Sequence, residues 1–301
     1  MNISVKIGKA KFDNPVTVAS GTFGHSEKYY NLREVKKLGA ITPKTVTLRA
    51  QEGNPPPRIA ETPSGMLNAI GIENPGADVF IETKLPALAK TGVPVIVSIL
   101  GHTDAEFAAL AKKFNAARGI SAFELNLSCP NLGKKVLVAQ DAAATARVVR
   151  AVKKVSKYPV IAKLSPNVTD IVVIAKAAER AGADGLSLVN TFTGMAIDTK
   201  TRKAVLGNVT GGVSGPAIRP MVVHMVYKVA QEVKIPIIAM GGIMTADDAL
   251  QYIIAGATMV AVGTSNFINP QAPAEVLDGI KAYMRAHGIK DIKQLRGSLI
   301  K

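Results

Sequence analysis

The sequence predicts one (β/α)8 TIM barrel, an α/β fold, carrying insertions after the second and sixth strands. Three observations lead there. Short aliphatic runs alternate with longer stretches of helical spacing, eight times over. The runs are apolar almost without interruption, as expected of parallel strands covered on the outside by helices. The 301 residues match one such barrel, which commonly spans about 250 residues and tolerates insertions.

The strands are expected at residues 17–20, 41–44, 93–100, 122–127, 160–164, 185–189, 237–240 and 259–262. Between most of them the spacing predicts a helix. Over 142–156, Ala143, Ala146, Val149 and Val152 recur at helical intervals, and 171–181 and 216–233 behave similarly. Ala181-Gly182-Ala183-Asp184-Gly185 reads as a helix end followed by a strand start, and Ala255-Gly256-Ala257 repeats the device. Glycine supplies the left-handed cap there. Eight units favour a closed barrel over an open sheet. No linker is visible, so residues 1–301 are expected to form a single domain. Two segments are too long for simple loops: 45–92, and 191–215 with a hairpin tip at 198–203. Both follow strand C-termini, where barrel enzymes build their sites.

Composition narrows the class. Apolar residues make up 48% and charged residues 20%, ordinary for a globular enzyme. Tryptophan is absent, so the core must be aliphatic. The net charge of +15 comes from Lys and Arg spread along the whole chain. That pattern suits small anions better than nucleic acid, which calls for a clustered basic face. One cysteine excludes an internal disulfide, and His25, His102, His224 and His287 form no metal-ligand spacing. No signal peptide and no apolar run of membrane-spanning length are seen, so a cytoplasmic address is expected.

The chemistry is suggested by position. Strand after strand ends in a polar residue or glycine: Ser20, Lys44, Ser98, Asn126, Lys163, Asn190, then Gly241-Gly242 and Gly263-Thr264. In a parallel barrel these form one ring around the mouth. The glycines after strands seven and eight let backbone N–H groups approach a phosphate, at the two strands where barrels often bind one. Lys44 and Lys163 are placed to stabilise an anionic phosphate or the negative charge of a reduced flavin ring. Cys129 follows a strand end within Asn126-Leu127-Ser128-Cys129-Pro130-Asn131. A lone cysteine is commonly a small buried hydrophobe, but this location makes it a candidate general base. Asn68-Ala69-Ile70-Gly71-Ile72 reads as a turn or as a substrate loop, since Asn offers donor and acceptor together.

At these residues the sequence resembles class 1 dihydroorotate dehydrogenases over essentially its whole length. The matching phrases include Ala19-Ser20-Gly21-Thr22-Phe23-Gly24, Gly53-Asn54-Pro55, Asn126 to Asn131, Lys163-Leu164-Ser165-Pro166-Asn167, Gly211-Gly212-Val213-Ser214-Gly215-Pro216 and Met240-Gly241-Gly242-Ile243. Gly65-Met66-Leu67-Asn68-Ala69-Ile70-Gly71 is most similar to the class 1B branch. The resemblance implies an FMN enzyme that oxidises dihydroorotate to orotate in pyrimidine biosynthesis. It implies Cys129 as the base that takes the C5 proton. It implies substrate contacts from Lys44, Asn68, Ala69, Ile70, Gly71, Ile72, Asn126, Asn131, Asn190 and Thr191. FMN contacts are implied for Ser20, Lys44, Thr45, Ser98, Asn126, Lys163, Val189, Gly215, Gly241, Gly242, Gly263 and Thr264. It further implies a homodimeric core joined by an electron-transfer subunit in a heterotetramer. FAD, a 2Fe–2S cluster and the route to NAD would belong to that partner.

Three departures stand out. The segment 132–140 is shorter than the family's substrate loop and carries Lys134 and Lys135; Ser98 stands where the family commonly has Asn; and Pro43 precedes Lys44. The rival readings are a tRNA dihydrouridine synthase, a related flavoenzyme acting on uracil-type rings, and a non-catalytic scaffold barrel. The first normally has a further helical RNA-binding domain, for which fewer than 40 residues remain after Val262. The last has no need of Cys129 and both lysines together.

Overall fold

A computed structural model describes residues 1–23, 32–127 and 137–300. Seven strands form one parallel sheet: Val16–Val18, Val95–Ile99, Ile120–Asn126, Val160–Leu164, Gly185–Leu188, Ile237–Ala239 and Met259–Val262. The sheet runs in chain order from Val95–Ile99 to Met259–Val262, which then pairs with Val16–Val18. Nearly every strand residue is buried. One face of each strand looks into the barrel and the other lies under helices, which is why the runs read as continuously apolar.

The gap between Val16–Val18 and Val95–Ile99 is closed by residues 39–46. Gly39 N–H donates to Val16 O at 2.9 Å, Ile41 N–H to Pro94 O at 2.8 Å and Val46 N–H to Ser98 O at 2.9 Å. Parallel bridges join Ile41 to Val95 and Val46 to Ile99. The chain closes into a (β/α)8 barrel, but the strand expected at 41–44 is corrected to two isolated bridges. Pro43 explains the interruption: it has no N–H to give a ladder. The remaining expected strands agree with the structure to within one or two residues at either end.

The helices follow their sequence signals. Asp141 caps Ala142–Val155 by accepting from Ala144 N–H at 2.6 Å. Its Ala146, Val149 and Val152 are buried. Asp170 caps Ile171–Arg180, and Thr245 with Asp248 forms a capping box on Ala246–Ala255. The helix expected at 216–233 is divided into a 3-10 turn, Pro216–Ile218, and an α-helix, Arg219–Glu232. An N-terminal hairpin, Val5–Ile7 with Ala10–Phe12, seals the other end of the barrel. Ile7 is fully buried there, against the start of the sixth barrel strand at Gly185.

The two long insertions meet. Strands Ile59–Thr62 and Gly65–Asn68 from the first, and Phe192–Met195 and Thr210–Ser214 from the second, form one four-stranded antiparallel sheet. Its central pairing sets Gly212 opposite Asn68 and Ser214 opposite Met66. The hairpin tip expected at 198–203 is present as Ile197–Asp198 paired with Lys203–Ala204.

Aromatic side chains are few but clustered. Phe114 packs edge-on against Phe80 at 5.9 Å and against Phe123 at 6.2 Å, and Phe123 packs against Tyr158 at 5.4 Å. Phe114 is fully buried, between the helices and the third and fourth barrel strands. Phe114→Ala is expected to cost about 3–5 kcal/mol of stability. Urea unfolding checks this, and a loss below about 1 kcal/mol would show that the cluster contributes no packing energy.

Candidate active site

All parallel strands end at one rim, and the residues there line a cavity of about 390 Å³. Ser20, Lys44, Thr45, Asn126, Lys163, Val189, Asn190, Thr191, Gly241, Gly242, Gly263 and Thr264 are among its lining residues. Asn68, Ile70, Gly71 and Ile72 of the first insertion roof it, with Gly212 and Ser214 of the second. The expected ring of strand-end residues is therefore largely realised. Three expected residues are not in the lining. Ala69 is fully buried with Leu67 and Leu206 in a separate small cluster. Ser98 is fully buried beneath the floor. Gly215 stands behind Gly242. Cys129 and Asn131, with residues 132–136 of the shortened loop, lie outside the described residues.

The floor is a hydrogen-bonded network. Thr45 Oγ1 accepts from Asn126 Nδ2 at 3.2 Å. It also shares hydrogen bonds with Ser20 Oγ at 3.0 Å and Ser98 Oγ at 2.9 Å. One hydroxyl thereby uses its donor and both acceptor sites. Ser98, placed in the lining by the sequence reading, instead reaches the cavity only through Thr45.

Lys163 and Glu124 form the charged part of the floor. Their Nζ and Oε1 atoms are 3.6 Å apart, and their side chains are 6% and 2% exposed. Ser187 Oγ donates to Glu124 Oε2 at 2.8 Å. Sequence reasoning missed Glu124. The available signal was its separation of two from Asn126 within an apolar strand, which puts both on one face.

One end of the cavity is lined by backbone. Gly242 has φ +66, and a Cβ there would lie 2.8 Å from Gly215 O and 2.8 Å from Arg219 Cβ. Only glycine allows this approach. The turn is braced from behind: Asp248 pairs with Arg219 and accepts from Met244 N–H at 2.9 Å and Thr245 N–H at 3.0 Å. Tyr252 Oη donates to Gly241 O. Close backbone approach of this kind suits an anionic group such as a phosphate. At the roof, Gly71 has φ +76 and touches Asn54, whose Nδ2 donates to Ala69 O at 3.0 Å. Asn167 fixes the second insertion: Nδ2 donates to Thr191 O at 3.1 Å and Oδ1 accepts from Thr193 N–H at 2.9 Å.

Among the described residues no group of three or more His, Cys, Asp or Glu is arranged to hold a metal ion, and no helix is long and apolar enough to cross a membrane.

Burial raises the Tyr252 phenol well above its ordinary value of 10.0. The folded state therefore holds this proton more tightly than the unfolded chain does. The resulting stability is complete below about pH 10 and is lost as pH rises beyond it. Tyr252→Phe is expected to flatten the alkaline fall in stability. It should also cost about 1–3 kcal/mol at neutral pH, since the Gly241 carbonyl loses its donor. Unfolding measured from pH 7 to 11 checks both effects, and an unchanged alkaline slope in the variant would exclude Tyr252 as the source.

Comparison with known proteins gives a concordant result. The family model described as dihydroorotate dehydrogenase matches residues 2–284. The chain is 51% identical over 300 residues to the catalytic subunit of dihydroorotate dehydrogenase B (NAD(+)) from Alkaliphilus metalliredigens, covering 99% of each chain. It is 50% identical over 299 residues to the protein of that name from Desulforamulus reducens, covering 99% of this chain and 98% of the other. It is 50% identical over 300 residues to that of Thermoanaerobacter sp., covering 99% of each.

Proposed function

The chain belongs to the dihydroorotate dehydrogenase family, and from that premise we propose that it oxidises dihydroorotate to orotate in pyrimidine biosynthesis, using FMN, within one domain spanning residues 1–301. The observation that carries this reading is the cavity itself. It joins a glycine-lined turn fit for a phosphate to a floor holding Lys163, under a roof of asparagine and backbone. These residues fit FMN. Gly241, Gly242, Gly263 and Thr264 would hold its phosphate. Lys163 would face the pyrimidine edge of its ring, with Ser20, Thr45 and Val189 alongside. Gly215 and Ser98 would act from behind this layer, Gly215 by fixing Gly242 and Ser98 by orienting Thr45. FMN supplies the hydride acceptor when bound.

The chain's own work is orientation and proton removal. Asn68, Asn126 and Asn190 offer paired donors and acceptors to a planar ring carrying amides and a carboxylate. Ile70, Gly71, Ile72 and Thr191 shape the roof over that ring, and Ala69 anchors the loop from below. Lys44, also in the lining, would face both substrate and flavin. Cys129 is assigned the general base that takes the C5 proton, and Asn131 a further substrate contact. Both assignments rest on the Asn126-to-Asn131 motif in the sequence.

The relatives are named as catalytic subunits of an NAD(+) enzyme. That wording supports a partner subunit that carries electrons on to NAD. FAD and a 2Fe–2S cluster are assigned to that partner and not to this chain. A homodimeric core, a heterotetramer with the partner and a cytoplasmic location complete the reading.

The direct test is anaerobic mixing of purified, FMN-loaded protein with dihydroorotate. Flavin absorbance should bleach, acid extraction should yield FMN and no FAD, and NAD alone should not restore the colour. Flavin that stays oxidised would overturn the assignment.

Cys129→Ala should slow that bleaching by about 10²–10⁴-fold, the usual contribution of a general base, while FMN remains bound. The wild-type rate should rise with pH through the thiol range near about 8.5. Stopped-flow absorbance across pH checks this, and a near-wild-type rate in Cys129→Ala would remove the thiol from the mechanism.

A further inference from the structure

Glu124 is a carboxylate that barrel packing does not require. Its side chain is 2% exposed, and Oε1 accepts no hydrogen bond among the described residues. Burying a carboxylate is costly unless a cation offsets it. The cation is Lys163. At 3.6 Å its Nζ is within ion-pair reach of Oε1 but beyond hydrogen-bond distance. The three N–H donors of Lys163 are therefore not used up by Glu124, and Lys163 also lines the cavity.

The register explains how the pair arises. Asn126, Lys163 and Ser187 are side by side on the fourth, fifth and sixth barrel strands. Glu124 is two residues earlier on the same face as Asn126, one layer deeper. From there it meets both the lysine and the Ser187 hydroxyl. The lysine is thus seated between the cavity above and the buried carboxylate below.

We infer that Glu124 acts through Lys163 as its buried counter-charge, setting how strongly the lysine's positive charge favours reduction of a flavin bound in the cavity. The inference rests on the flavin reading above. With both residues present, the Lys163–Glu124 pair presents no net charge to the cavity. Removing the carboxylate leaves an uncompensated positive charge, and reduction, which adds negative charge to the ring, becomes easier. Removing the lysine has the opposite effect. At an effective permittivity near 20, a unit charge about 10 Å away changes an equilibrium by more than tenfold.

The experiment compares wild type, Glu124→Gln, Lys163→Met and the double variant. Gln keeps an oxygen for Ser187 and nearly the same volume. In the FMN-loaded proteins, the flavin midpoint potential should rise in Glu124→Gln by about 30 mV or more, equivalent to tenfold for a two-electron couple. It should fall in Lys163→Met and return toward wild type in the double variant. A purely structural role would leave the potential where it is. An unchanged or lowered potential in Glu124→Gln with FMN bound would overturn the inference.

A second arm needs no flavin. In unfolding of the four apo-proteins, each single variant should be weakened and the double should recover at least tenfold in the unfolding constant relative to the sum of the singles. If Glu124→Gln fails to fold while the double variant folds, the coupling is upheld. Additive losses would overturn the inference whatever the ligand. Coupled losses in a protein that takes up no flavin would instead count against the flavin reading and leave the ion-pair coupling standing.

Discussion

The parallel register of the barrel is the constraint on which the rest of this structure depends. Parallel strands align their C-terminal ends, and alternation sends every second side chain inward. Asn126, Lys163 and Ser187 are brought level by that register, although far apart in sequence. Closure of the ring through residues 39–46 brings Lys44 and Thr45 to the same cavity. The closing segment is weakly laddered because of Pro43, and side chains supplement it. Thr17 Oγ1 donates to Ala40 O at 2.9 Å, and Thr45 joins Ser20, Ser98 and Asn126.

Below the mouth the barrel is unusually polar for an interior. Thr17, Thr42, Thr45, Ser98, Glu124, Asn126, Lys163 and Ser187 are all buried. Buried polar groups are tolerated when each finds a partner. The hydroxyls and amides here hold one another in fixed directions, so little reorganisation is left for the moment a ligand arrives. Rigidity of this kind is what orientation-based catalysis uses. The apolar layers of the barrel wall and its helices supply the burial that makes such a floor affordable.

The two insertions have a joint role that neither shows alone. Each contributes two strands to the antiparallel sheet at the mouth, and the Gly212–Asn68 pairing ties them together. Asn68 Nδ2 donates to Gly212 O at 3.2 Å, so a candidate substrate residue is oriented by the opposite insertion. A change in either segment would be felt in the other.

Much of this was legible in the sequence, because it depends on local periodicity. Alternating strand and helix patterns determined the barrel, and polar residues at successive strand ends determined which face would carry the site. Pro43 was visible too, but its effect on the ring was not. Whether a missing N–H breaks a ladder depends on which neighbour it would have served. The sequence by itself also marked a tight turn at Gly241-Gly242, where both residues have positive φ and close approach demands glycine. Only the tertiary structure decided which side chains face one another across strands. Ser98 moved out of the lining to a place beneath Thr45, Ala69 turned into a separate cluster, and Glu124 emerged under Lys163. Those contacts are set by register between distant strands and by the three-dimensional packing around them, and a linear sequence carries neither directly.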